Sequence, residues 1–451
     1  MTRGLIGAIF ALLVATPGTP LWAGTVLTFD VVSHTEAAKG AKQVKGQSLP
    51  ADATYPLTVT LSGDTMQTDE PDERSIYDFK KARILRLDKH KNTYADVSLY
   101  TIVGFNVEEF LNRMMIGNAL AAGEVKDNPM APALTENLLA LAYPDPAHAT
   151  VIDHVTKDDE TVYSWSGHRL MSVSEKTREL PPAVLSQYLR FLRYSTGGHP
   201  QILAAIEQGK GIPERLTVVR SNMAVETRTL TLRNIDERPD RPLSLDGYTR
   251  ETPDGEPYTT LRRLSASPAV DLEAHAAVLR QARDAAITDG RVFDALLASL
   301  AAVLATGDQN ESTAWAAAHR DQISVNTDAA RLGRSLNPTD AASAKAGAEA
   351  LAKMRQSAGP HGYVLSIFEA NDRLALHQDD RAAGSFLATL AADPMITGAW
   401  IDLGSLYYRS YRTDAAWACW DAARALRPTH YMLQVVDDTE RKLRTDHPEF
   451  F

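Results

Sequence analysis

Apolar and polar residues alternate along the first half of the chain and recur at helical spacing along the second. Val26 to Val32 alternates and predicts a first strand. Leu57, Val59 and Leu61 alternate with Thr58 and Thr60, the pattern of a half-buried strand, which Ser62-Gly63-Asp64 ends. A meander follows: Arg74 to Phe79, then Ala82 to Leu87, then Thr93 to Val97, turned at Lys80-Lys81 and at Asp88 to Asn92. Consecutive hairpins of this kind build an antiparallel sheet with one packed and one wetter face.

The period then changes. Val107, Phe110, Leu111, Met114 and Met115 fall on one helical stripe, predicting a helix from Val107 to Ala122. A second short helix is expected at Leu134 to Leu141, closed by Pro144 and Pro146. Val151 to Thr156, Thr161 to Trp165 and Arg169 to Val173 read as three more strands. Pro181-Pro182 opens a helix over Ala183 to Tyr194, and Pro200 opens another that ends at Gly209. Leu216 to Val219 and Glu226 to Leu232 resume the strands, and Asp236 to Pro257 reads as loop.

From about Asp271 the strand pattern is gone. Leu272 to Ile287 and Val292 to Ala305 form a helical hairpin broken at Asp289-Gly290, and alanine dominates to about Ala358, which suits closely packed helix pairs. The expected architecture is an α+β domain, a curved antiparallel sheet with covering helices, over residues 24–267, followed by an all-α solenoid over 268–451.

Thr397 to His430 carries the most specific pattern. Trp400, Leu403, Gly404 and Tyr407 share a first helix, and Ala416, Trp420 and Pro428 mark a second helix and its end. Gly404 lets the second helix approach, Ala416 fills the facing position, and Pro428 cannot continue the helix. This segment resembles the tetratricopeptide repeat, with Trp420 where that family usually has Phe. Thirty-four residues earlier Ala382, Phe386 and Pro394 repeat the second-helix positions, while Ser366, Glu369, Ala370 and Arg373 depart from the first. Met432 to Arg444 reads as a closing helix.

In that family the first helices line a groove, and the resemblance places its positions at Ile401, Ser405, Tyr408 and Arg409. In the weaker copy they fall at Val364, Ile367, Asn371, Leu374 and Ala375. Such a mixture of apolar, amide and cationic groups implies an extended peptide with an acidic group as partner. The alternative at Ile367 and Leu374 is that they face the core.

Gly63-Asp64-Thr65-Met66-Gln67, Tyr77-Asp78-Phe79 and Asn92-Thr93-Tyr94 loosely resemble the sheet of the LolA and LolB lipoprotein carriers. The resemblance implies a pocket for acyl chains between sheet and helices, with Phe110, Met114, Met115, Leu138 and Leu139 as covering residues. A plain sheet-on-helix core accounts for them as well.

Charge and composition narrow the partners. The net charge is -10, which repels phosphate backbones, so no nucleic-acid role is expected. Cys419, the one cysteine, sits between Trp417 and Trp420 and reads as a packing thiol. Arg3, the apolar run Leu5 to Val14, and Pro17, Gly18 and Pro20 before Ala23 have the form of an export signal over residues 1–23. An uncleaved anchor is the alternative, because Leu21 is only a moderate residue at its place before the cut. No later run reaches spanning length. The expected location is therefore periplasmic or secreted.

Catalytic signatures are missing: no His-Glu-x-x-His, no Gly-x-Ser-x-Gly and no Gly-x-Gly-x-x-Gly occur. Gly209-Lys210-Gly211 follows a helix and reads as its cap. No metal or cofactor is expected. Three functions remain, in falling order: a non-enzymatic scaffold that captures an envelope protein or peptide, a carrier of lipid or lipoprotein, and an enzyme whose residues are dispersed along the chain.

Overall fold

The alternation at Leu57, Val59 and Leu61 becomes one buried face of a long sheet. A computed structural model describes residues 23–37, 51–123, 151–165, 167–221, 224–239, 244–266, 271–336 and 338–451. The expected signal over 1–23 (all but Ala23) and the expected helix at Leu134 to Leu141 lie outside these residues.

The strands are β1 (Ala23–Ala37), β2 (Ala53–Ser62), β3 (Thr65–Asp69), β4 (Glu73–Asp78), β5 (Arg83–Asp88) and β6 (Thr93–Ser98). After the helix α1 (Tyr100–Ala121) come β7 (Asp153–Lys157), β8 (Glu160–Trp165), β9 (His168–Ser174) and β10 (Thr177–Glu179). Helices α2 (Pro182–Ser195) and α3 (Pro200–Gln208) precede β11 (Gly211–Pro213), β12 (Arg215–Ser221), β13 (Ala224–Pro239) and β14 (Thr249–Arg250). Twelve strands form one sheet in the order β14-β6-β5-β4-β3-β2-β1-β13-β12-β9-β8-β7, and β10 pairs with β11. Every pairing is antiparallel except β14 on β6.

Register sorts the side chains. Leu27, Phe29 and Val31 stand opposite Val59, Leu57 and Tyr55 on one side. On the other they stand opposite Ile235, Leu232 and Leu230, with a bulge between Thr28 and Phe29 that restores the parity. Helix α2 covers this face: Phe191 stacks on Phe29 at 6.4 Å, and Leu185, Tyr188, Leu189 and Leu192 are buried. Burying such a face at about 25 cal/mol per Å² of apolar surface is the main term holding sheet to helix.

The remainder is helical: α4 (Tyr258–Ala266), α5 (Leu272–Thr288), α6 (Val292–Thr306), α7 (Gln309–Ala318), α8 (Arg320–Ser324), α9 (Thr327–Ser335) and α10 (Ala341–Ser357). Then come α11 (Leu365–Ala375), α12 (Asp379–Ala392), α13 (Thr397–Arg409), α14 (Thr413–Leu426) and α15 (Gln434–Asp446). The α+β region is thus followed by an all-α run of eleven α-helices from α5 onward among the described residues.

Helix α1 bridges the two regions. It starts at Tyr100, earlier than its apolar stripe predicts, because Tyr100 stacks on Trp417 and Val103 is fully buried. A Cβ on Gly104 would lie 2.7 Å from the Trp417 ring, so a larger residue there would push α1 off α14. Arg83 of β5 pairs with Asp421 of α14 at 2.5 Å and with Asp96 at 2.8 Å. Thr413 Oγ1 donates to Thr101 O, and Tyr258 OH donates to Asp414. Phe450 is buried against Tyr194, whose hydroxyl donates to Phe450 O at 2.9 Å.

Candidate functional site

The α13–α14 hairpin is built as its residues imply. A Cβ on Gly404 would overlap Trp420 Nε1 and sit 3.0 Å from Ala416 O, so the two helices touch through backbone. Trp420 Nε1 donates to Ile401 O at 3.2 Å, and Trp400 Nε1 donates to Pro394 O at 2.8 Å. Trp400, Leu403, Tyr407 and Ala416 are all buried, Arg412 lies over the Tyr407 ring, and α14 ends two residues before Pro428. Cys419 is fully buried among them, and burial pushes its thiol well up.

The groove positions separate into two groups. Ile401 is 1% exposed, and Val364 and Ile367 of the preceding pair are equally interior, so these three do not line an open surface. The reason is α6. This helix, buried on several sides through Leu297, Ala298, Ala301, Ala302 and Ala305, packs against α13, and a Cβ on Gly398 would lie 3.2 Å from Leu304. Its hydrophobicity on nearly every side was the sequence signal that it would be enclosed. Ser405 is half-buried and donates to Ile401 O at 2.9 Å. Tyr408 is half-buried too, with its ring edge-on to Trp417 at 5.3 Å and its hydroxyl bonded to Glu108 of α1. Arg409 and Asn371 are exposed, and no carboxylate among the described residues pairs with Arg409.

Asp402 lies beside Ile401 on α13. It is half-buried with no hydrogen-bond partner among the described residues, and burial pushes its carboxyl up to about 7. Asp372 of α11 is pushed up to about 6 by burial and by Glu369, which is itself held between Arg355 and Arg373. A third buried acid, Asp393, accepts from His275 Nε2 and Tyr363 OH, each at 2.9 Å. These contacts hold its carboxyl below the usual range against the upward push of burial. Lone aspartates on helices carry no periodic signature, so only the packing reveals them.

The residues expected to cover a lipid pocket lie elsewhere. Phe110 is buried, but Met114 and Met115 are 39% and 66% exposed. All three belong to α1, which packs on α14 and α15, whereas α2 covers the sheet face. Leu138 and Leu139 lie outside the described residues. On that face a cavity of about 210 Å³ remains between β2, β3, β4, β13 and the end of α2. Leu57, Phe191 and Leu230 line it together with Glu70, Glu73, Tyr77, Tyr194 and Arg228. Burial pushes the Tyr77 phenol up to about 12, with the Arg86 guanidinium opposing it and Glu73 and Glu70 adding to it. Among the described residues no group of three or more His, Cys, Asp or Glu is placed to hold a metal, and no helix is long and apolar enough to cross a membrane.

No protein-family model matches the chain, and no curated protein does. Among solved structures, one of lipovitellin, described by its lipid–protein interactions, aligns with 92% of this chain at 12% identity and a TM-score of 0.16. The aligned part spans 47% of that lipovitellin chain. A TM-score of this size carries no argument about fold or ligand.

Proposed function

We propose that this is an exported, non-enzymatic binding protein of the cell envelope. Its tetratricopeptide-like helices capture an extended, acidic segment of another envelope protein. The observation that carries the reading is Arg409: an exposed guanidinium with no carboxylate partner among the described residues, flanked by half-buried Tyr408 and Ser405. An arginine held this way offers a bidentate contact to a carboxylate at little desolvation cost. With Ile401, Val364 and Ile367 buried, the capture surface narrows to the C-terminal half of α13, with Asn371 one repeat away.

The carrier of lipid or lipoprotein is the weaker reading. The sheet-face cavity is smaller than the roughly 300–1,000 Å³ of ordinary ligand pockets and is bordered by charged side chains.

The test is a photo-crosslinking residue at position 409, introduced into the protein in the envelope of its own host. A discrete protein adduct, lost when Arg409→Glu is combined with a crosslinker at Asn371, supports capture. An adduct yield unaffected by Arg409→Glu, or no protein adduct at either position, rejects it.

A further inference from the structure

The cavity beside the end of α2 has an order to its walls. Leu57, Leu230 and Phe191 make an apolar floor, and Tyr77 and Tyr194, with ring centroids 5.1 Å apart, make an aromatic side. Glu70 and Glu73 stand at the rim. Glu70 is ion-paired with Arg228 at 2.6 Å, whereas Glu73 accepts only the Ser75 hydroxyl, at 2.9 Å, and has no cationic partner among the described residues.

One more feature lends the cavity negative character. Ser195 and Thr196, at the carbonyl end of α2, reach its wall, and the last turn of a helix carries a partial negative charge. Arg220 donates to one of those carbonyls, Ser195 O, at 2.6 Å, which offsets part of the helix-end charge, and makes no ion pair with Glu73. The Tyr77 hydroxyl has no hydrogen-bond partner among the described residues. Arg86, opposite Ser75 on the next strand, is exposed and outside the lining.

We infer that this cavity binds a small amphiphilic cation. Its ammonium group sits between Glu73 and the carbonyl end of α2, against the faces of Tyr77 and Tyr194, and its apolar body lies over Leu57, Phe191 and Leu230. Aromatic faces and a carboxylate attract an ammonium together, and the attraction grows where water is excluded. A carboxylate ligand of the same size would meet Glu73 and the helix end with like charge. The volume of about 210 Å³ limits the occupant to a molecule below drug size. The site is independent of the α13 surface: it needs only the sheet and α2.

The test uses two probes that carry the same phenethyl body and opposite charge, phenethylamine and 3-phenylpropionate, titrated calorimetrically into the full chain. The expected result is saturable binding of the amine, with the acid at least about tenfold weaker. Glu73→Gln, at an exposed position whose one side-chain hydrogen bond among the described residues comes from Ser75, leaves the melting temperature unchanged and weakens the amine at least about tenfold. Leu230→Trp, which fills the floor, abolishes amine binding without requiring any change of charge. No amine binding, a preference for the acid, or amine binding untouched by both substitutions overturns the inference.

Discussion

The sheet region and the helical region bury their interiors by different means. The sheet uses large side chains sorted by register: Leu27, Phe29, Val31, Leu57, Val59 and Leu61 point to one face because strand alternation leaves no other choice. The helical region sets small residues against large ones, with Ala298, Ala301, Ala305, Gly398 and Gly404 letting helices approach closely around the buried rings of Trp400, Trp417 and Trp420. Their treatment of charge differs as well. Both acids pushed upward among the described residues, Asp372 and Asp402, lie in the helices, and so does the Asp393–His275–Tyr363 cluster. Closely packed helices leave little water at their crossings, so an acid caught there is desolvated. A sheet face can instead pass from apolar at one end to charged at the other, as it does toward Glu70, Glu73 and Arg228. Sensitivity to pH should therefore reside in the helical half.

The largest effect expected is in the sheet. Phe29→Ala removes a ring that is 1% exposed and stacked on Phe191, at a cost of about 3–5 kcal/mol, readable by chemical denaturation. A loss below about 1 kcal/mol would mean that the face repacks easily and the contrast is false. Gly404→Ala should cost about 3 kcal/mol with no cavity made, because the added methyl meets Trp420 and the Ala416 carbonyl. A neutral result would show that the α13–α14 crossing is looser than its geometry.

Asp402→Asn sharpens the charge side of the comparison. Its carboxyl rises from the ordinary 3.8 to about 7 on folding, so the folded state binds the proton more tightly than the unfolded chain. Ionisation then costs nothing below about pH 4, costs more as pH rises toward 7, and costs its full amount above that. The amide variant should gain on the order of 2 kcal/mol at pH 8 and nothing at pH 4, measured as the shift in thermal midpoint. An equal shift at both pH values would assign the effect to packing. Smallest is the tie between the regions. Arg83→Ala removes a partly exposed pair and should cost about 1 kcal/mol. Its more informative readout is calorimetric: two transitions in place of one would show that Arg83 and Asp421 hold the regions to a common unfolding.

Much of this architecture was legible from spacing. The meander from Arg74 to Val97, the strands around Thr161 and Arg169, and the helices opened by Pro182 and Pro200 stand where the alternation and the prolines put them. Strand β3 escaped notice because Thr65-Met66-Gln67-Thr68-Asp69 has one apolar residue. It is a strand because β2 and β4 pair with it on both sides. Strand β13 runs well past Leu232 to Pro239 into the segment expected to be loop, since β1 pairs along its whole length.

What the sequence by itself determined are the local choices: which residues alternate, where chains turn, and that Gly404 and Ala416 let α13 and α14 approach closely. These depend on neighbours within one or two turns, so their pattern is written along the chain. Only the tertiary structure decided which surfaces stay open. Ile401 and Arg409 share one helix and one predicted groove, yet α6 encloses the first and leaves the second in solvent. The position of α6 follows from summed burial across distant helices, a quantity that no single segment encodes.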